Sequence, residues 1–142
     1  MAGKTSEGVG FSDFEKAAMK ERAAELKKKA SAEKDLEGLL EKIAEMPPAE
    51  RAMAEKIHEI VLDVAPDLRA KTWYGMPSWA REGKSLVFFQ PATKFDSRYS
   101  TLGFQDNANL DEGSMWAASY ALTAIGPAEE ARIRELIIRA VS

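Results

Sequence analysis

Pro66 divides this chain into two kinds of sequence. Upstream of it, apolar residues recur at the three-to-four-residue spacing of amphipathic helices. Downstream the pattern turns aromatic and alternating, and ten of the twelve aromatic residues lie between Trp73 and Tyr120. Aromatic residues in period-two patterns favour the pleated, half-buried surface of a strand. Helices followed by consecutive strands with no helix between them predict an α+β fold, an antiparallel sheet with helices packed on one face. A doubly wound parallel sheet would need crossover helices between its strands.

The helical half resolves into segments. Residues 1–10 are small, polar and glycine-punctuated, which predicts a disordered tail. Ser12 with Glu15 three residues later is a capping-box pattern, and the alanine, glutamate and lysine that follow to about Ala30 are strong helix formers. The stripe Met19, Ala23, Leu26, Ala30 has helical spacing but little bulk, so 11–34 is expected to form an accessory helix and linker outside the core. A second helix over 35–45 carries Leu36, Leu39, Leu40 and Ile43, and stops at Met46-Pro47-Pro48. A third, from Pro48 to Ala65, shows Met53, Ile57, Ile60, Val61 and Val64 on one side.

Strands are predicted over 78–81, 84–90, 100–104 and 117–123. Glu82-Gly83 reads as a two-residue hairpin, although glutamate is a poor first residue for a turn that needs positive φ. Leu86 to Phe89 is apolar on both faces, as an interior strand would be. Gly126-Pro127 opens a terminal helix with Ile133, Leu136 and Ile137 as its stripe.

With 142 residues and 45% hydrophobic content, one core is expected, spanning 35–142. The chain has no cysteine, which removes disulfides and thiolate chemistry. Its longest apolar run, Leu86 to Phe89, is far short of the roughly 20 residues of a spanning helix. A cytoplasmic location without membrane insertion is therefore expected. The net charge of -3 has the wrong sign for a nucleic-acid binder. That charge is unevenly spread. Residues 1–34 hold 8 basic and 6 acidic side chains, whereas 35–67 hold 3 basic and 9 acidic.

Three constellations could carry chemistry. Glu37, Glu41 and Glu45 recur every four residues, as do Glu55, Glu59 and Asp63, so each helix presents a row of carboxylates. Like charges at that spacing repel, and rows of them suit a cation held by hard oxygen ligands, with His58 three residues after Glu55. A solvated acidic surface neighboured by Lys42, Arg51 and Lys56 is the simpler alternative. Trp73, Tyr74, Met76 and Trp79, bracketing Gly75 and Pro77, could present aromatics at the rim of the sheet. Lys94 and Arg98 would add positive charge suited to an anion. The remaining aromatics are expected in the core. No P-loop, nucleophile elbow, dinucleotide glycines or His-Glu-x-x-His is present, which points away from an enzyme.

The stretch Ala65-Pro66, then Lys71-Thr72-Trp73-Tyr74-Gly75-Met76-Pro77, then Gly83-Lys84-Ser85-Leu86-Val87-Phe88-Phe89 resembles the YdhG-like family of small domains in order and spacing. The resemblance covers 35–142. It implies a frataxin-like α+β sandwich, and for some members a role as intracellular iron chaperone, which would place iron at acidic residues of the early helices. The leading expectation is thus a non-enzymatic binding domain, for a cation on the acidic faces or a small ligand at the aromatic rim. The alternative is an interaction module or homo-oligomer built on the N-terminal helix. Convergent carboxylates would favour the first. An exposed apolar patch around Met19 and Leu26 would favour the second.

Overall fold

The structure, a computed structural model, describes residues 12–142; the expected tail at 1–10 and Phe11 lie outside the described residues. Its elements run α1 (Asp13–Ala44), α2 (Pro48–Val64), β1 (Arg69–Trp73), β2 (Met76–Arg81), β3 (Lys84–Gln90), β4 (Ser100–Phe104), β5 (Ser119–Leu122) and α3 (Pro127–Val141). The chain divides into two compact units, Met1–Lys34 and Asp35–Ser142, and the boundary falls within α1.

The five strands form one antiparallel meander in sequence order, as the short connections predicted. Both of its tight hairpins use two residues of positive φ. Tyr74 and Gly75 (φ 51° and 75°) join β1 to β2, and Glu82 and Gly83 (φ 52° and 82°) join β2 to β3. This geometry matches the twist of the flanking strands. A bulge between Trp79 and Ala80 shifts the β2–β3 register.

The cross-strand pairs Trp79↔Val87, Val87↔Phe104, Phe89↔Leu102 and Ser100↔Leu122 set one face of the sheet. From that face Trp79, Val87, Phe89, Leu102, Phe104 and Leu122 join Leu39, Ile43, Ile57, Ile60, Ile133 and Ile137 of the helices in a single core. On the other face Phe88 lies across Gly103, where an added Cβ would fall 2.2 Å from its Cζ. Trp73 packs beside Phe88 at 5.2 Å between ring centroids. The adjoining Ser78 and Ser85 satisfy each other through a 2.6 Å hydrogen bond between hydroxyls.

The helix ends follow their sequence signals. Ser12 Oγ accepts from the N–H of Glu15 at 3.1 Å, and the Ser12 N–H donates back to Glu15 Oε1 at 3.3 Å, which completes the capping box. Pro48 occupies the first turn of α2, and the Gly126 N–H donates to Glu129 Oε1 at the start of α3.

Two expectations are corrected. The first and second helices are one, α1, because Ser31-Ala32-Glu33-Lys34 contains neither glycine nor proline to interrupt it. The sheet also has a strand that the pattern did not show. In β1 every residue is half-buried, so the period-two contrast that marks a strand is missing.

Candidate functional site

The acidic helix faces come first. His58 is half-buried, and its Nδ1 accepts a 3.1 Å hydrogen bond from the indole Nε1 of Trp79. The two rings stack at 26° with centroids 6.2 Å apart. An Nδ1 that accepts carries no proton, so the imidazole here is neutral, and burial lowers its pKa below the usual 6.5. His58 thus braces α2 against the sheet.

Of the α2 row, Glu59 takes a 2.8 Å hydrogen bond from Lys56, which draws its pKa down, and Asp63 is held by Arg134 of α3. Arg134 also reaches Glu130 at 3.2 Å, and Lys56 lies 3.6 Å from the same carboxylate. These charges form a cross-helix network between α2 and α3. Glu37, Glu41 and Glu55 are exposed, and no group of three His, Asp or Glu side chains among the described residues is close enough to hold a metal ion. The residues named for a metal are thus not gathered into a group of three among the described residues.

The aromatic rim divides. Trp79 is fully buried and Met76 nearly so, because both sit on strand β2 inside the sheet and not in the turn before it. They are corrected to packing residues. Trp73 is half-buried, and Tyr74, at the tip of the first hairpin, is 80% exposed.

Beside that hairpin lies a cleft of about 320 Å³, lined among others by Lys42, Glu45, Glu50, Gly75, Thr93 and Lys94. The Lys94 ammonium donates to the Gly75 carbonyl at 3.0 Å. Thr93 donates to Glu50 from both its N–H and its hydroxyl, which fixes the loop after β3 on the first turn of α2. Lys42 lies 3.6 Å from Glu45, so the charge of Lys94 is the one in the cleft that faces a neutral acceptor. Arg98 does not join it. It stacks over Tyr99 at 5.1 Å and lines a separate hollow of about 160 Å³, and the two cavities share Glu50. Glu50 and Thr93, 43 positions apart, had no sequence signal beyond the place of Glu50 in a first helical turn.

The third candidate is α1 itself. Every residue from Ser12 to Ser31 is exposed. Among them Phe14 is 82%, Met19 54% and Leu26 57% accessible. Phe14 was not part of the expected stripe, since it stands at the helix start and breaks the small-residue pattern.

The chain has no match among family models, curated proteins or solved structures. Among the described residues no helix is long and apolar enough to cross a membrane.

Proposed function

We propose that this chain is a non-enzymatic interaction domain whose docking element is the N-terminal stretch of α1. The observation that carries this reading is the uninterrupted exposure of Ser12–Ser31 with three large apolar side chains in it. A helix in water gains only marginal stability from its own hydrogen bonds, and most helical stability in proteins comes from packing an apolar face. Exposed apolar residues gathered on one element mark a place where another surface packs. The core of 35–142 is complete without residues 12–34, as none of its members comes from that stretch.

The resemblance to YdhG-like domains is compatible with this reading. Its Gly-Met-Pro and Gly-Lys segments fall at the two tight hairpins of the sheet. The iron role that the resemblance implied has no group of three ligands among the described residues to rest on.

Hydrogen exchange tests the proposal. In dilute protein the amides of 13–30 should exchange quickly, as those of a lone helix do, while β3 and α2 stay protected. Full protection of 13–30 in a dilute monomer would mean that the chain covers the helix itself, and would end the reading.

A second reading, small-anion binding, is favoured by Lys94 alone. Its ammonium is held at the mouth of the cleft by a neutral carbonyl, beside the exposed Tyr74. Amide shifts at Gly75 and Thr93 on adding a small carboxylate, abolished in Lys94→Met, would support it. No shift at millimolar ligand would dismiss it.

A further inference from the structure

Along α2, Arg51, Glu55 and His58 stand at intervals of four and three residues and so share one side of the helix. Leu40, Ile43 and Ala44 stand at the same kind of spacing near the end of α1. These six residues line a hollow of about 450 Å³, within the range of roughly 300–1,000 Å³ typical of small-molecule sites. All six belong to the compact unit Asp35–Ser142. From the geometry of this hollow we infer that it binds a free α-amino acid with an apolar side chain.

The polar groups of the hollow are complementary to such a molecule. Arg51 makes one hydrogen bond among the described residues, from Nη2 to the Met46 carbonyl at 3.1 Å. Its Nε is buried without a partner, so the guanidinium charge is uncompensated there. Glu55 is exposed, and neither it nor Arg51 belongs to an ion pair among the described residues. At four residues apart the two charges could pair, but base before acid is the weaker order for that spacing, and the Met46 carbonyl already holds the guanidinium. Two opposite charges therefore line one hollow without neutralising each other. Their Cβ atoms lie on the order of 5–6 Å apart, a span that an ammonium and a carboxylate on one carbon can bridge. His58 adds no second acceptor for the ammonium, since its Nδ1 is taken by the Trp79 indole. Glu55 is left as the acceptor for the ammonium and Arg51 as the fork for the carboxylate. Leu40, 46% exposed, supplies with Ile43 and Ala44 the apolar wall on which a side chain would pack.

L-Leucine added to the full chain, followed by calorimetry and amide NMR shifts, tests this. It should bind at about millimolar concentration or below and shift Ile43, Ala44 and Glu55. Glycine, which lacks the apolar body, should bind about tenfold more weakly. Removing either charge from the ligand should cost about as much, the ammonium in 4-methylpentanoate and the carboxylate in 3-methylbutylamine. Glu55→Gln should weaken leucine about tenfold and leave 4-methylpentanoate unweakened, whereas Arg51→Met should weaken leucine and spare 3-methylbutylamine. A general loosening of the fold would not produce that crossed pattern. Arg51→Met gives up the bond to Met46, so Glu55→Gln, which alters an exposed side chain with no bond of its own, carries the test should the first variant unfold.

No shift at about 10 mM leucine would overturn the site. Equal binding of leucine and 4-methylpentanoate, or leucine binding indifferent to Glu55→Gln, would overturn the amino acid as its ligand. The exposed stretch of α1 takes no part in this hollow, so neither result bears on the docking reading.

Discussion

The indole N–H of Trp79 and Nδ1 of His58 are joined by a 3.1 Å hydrogen bond that ties the second helix to the second strand. Protonating His58 at Nδ1 would break it. Because burial lowers the folded-state pKa of His58 below 6.5, the unfolded chain takes up a proton first as pH falls. Stability linked to this group is therefore present above pH 6.5 and is lost as pH falls from there through the lower folded value.

The first prediction concerns that window. Wild-type protein should melt at a lower temperature at pH 5.5 than at pH 7.5, and His58→Gln, which can still accept the indole N–H, should flatten the difference. Glu59, the residue next to His58, stays out of the comparison, since its bond to Lys56 lowers its pKa from 4.5. Arg51 and Glu55 are the charged groups that line the hollow beside His58. Equal slopes in the two proteins, measured by calorimetry, would show that His58 does not carry the effect.

Gly103 provides the second. The Phe88 ring lies over it, and a Cβ would fall 2.2 Å from Cζ and 2.5 Å from Cε1, so Gly103→Ala must displace the ring from its place beside Trp73. Overpacking of this kind costs about 1–3 kcal/mol. The cost should shrink when Phe88 is already alanine, because the two changes share one contact. Additive losses in chemical denaturation would contradict the arrangement.

Much of this architecture was legible because it rests on local signals. Pro66, the glycine of Glu82-Gly83, the Ser12-Glu15 box and the apolar run 86–89 each act within a few residues, and each marks the element it should. What was not legible is set by contacts distant in sequence. Trp79 was expected at a rim because it follows a turn, yet its paired neighbours Ala70 and Val87 place it in the core. Residues 31–34, expected as a linker between two helices, lie inside α1. The cleft at Lys94 depends on Glu50, Gly75 and Thr93 meeting from three separate segments, and no periodicity records such a meeting.

The third prediction follows from the division of the chain at Lys34. Removing residues 1–31 should leave a cooperative melt within about 5 °C of wild type, because Leu39, Ile43 and the Asp35–Arg69 ion pair at 2.8 Å are all retained. A broad, non-cooperative transition would show that the removed stretch supports the core.

The last prediction concerns the acidic row of α2. By charge repulsion alone, converting Glu55, Glu59 and Asp63 to amides should raise the melting temperature, since each like-charged neighbour at four residues is unfavourable. The structure reverses that sign. Glu59 is bonded to Lys56 and Asp63 to Arg134, and both cations also reach Glu130, so the row is bound into a network that joins α2 to α3. The pKa of Arg134 is raised first by Asp63 and then by Glu130, and that of Lys56 first by Glu59. Glu59→Gln/Asp63→Asn should therefore lower the melt, and the loss should fade as salt approaches 1 M and screens the exposed pairs in both proteins. Glu55 makes no such bond among the described residues, so Glu55→Gln alone should change little and serves as the internal control. An increase in melting temperature for the double variant at low salt would show that repulsion along α2 outweighs its bonds to α3. The row would then again be free to attract a cation.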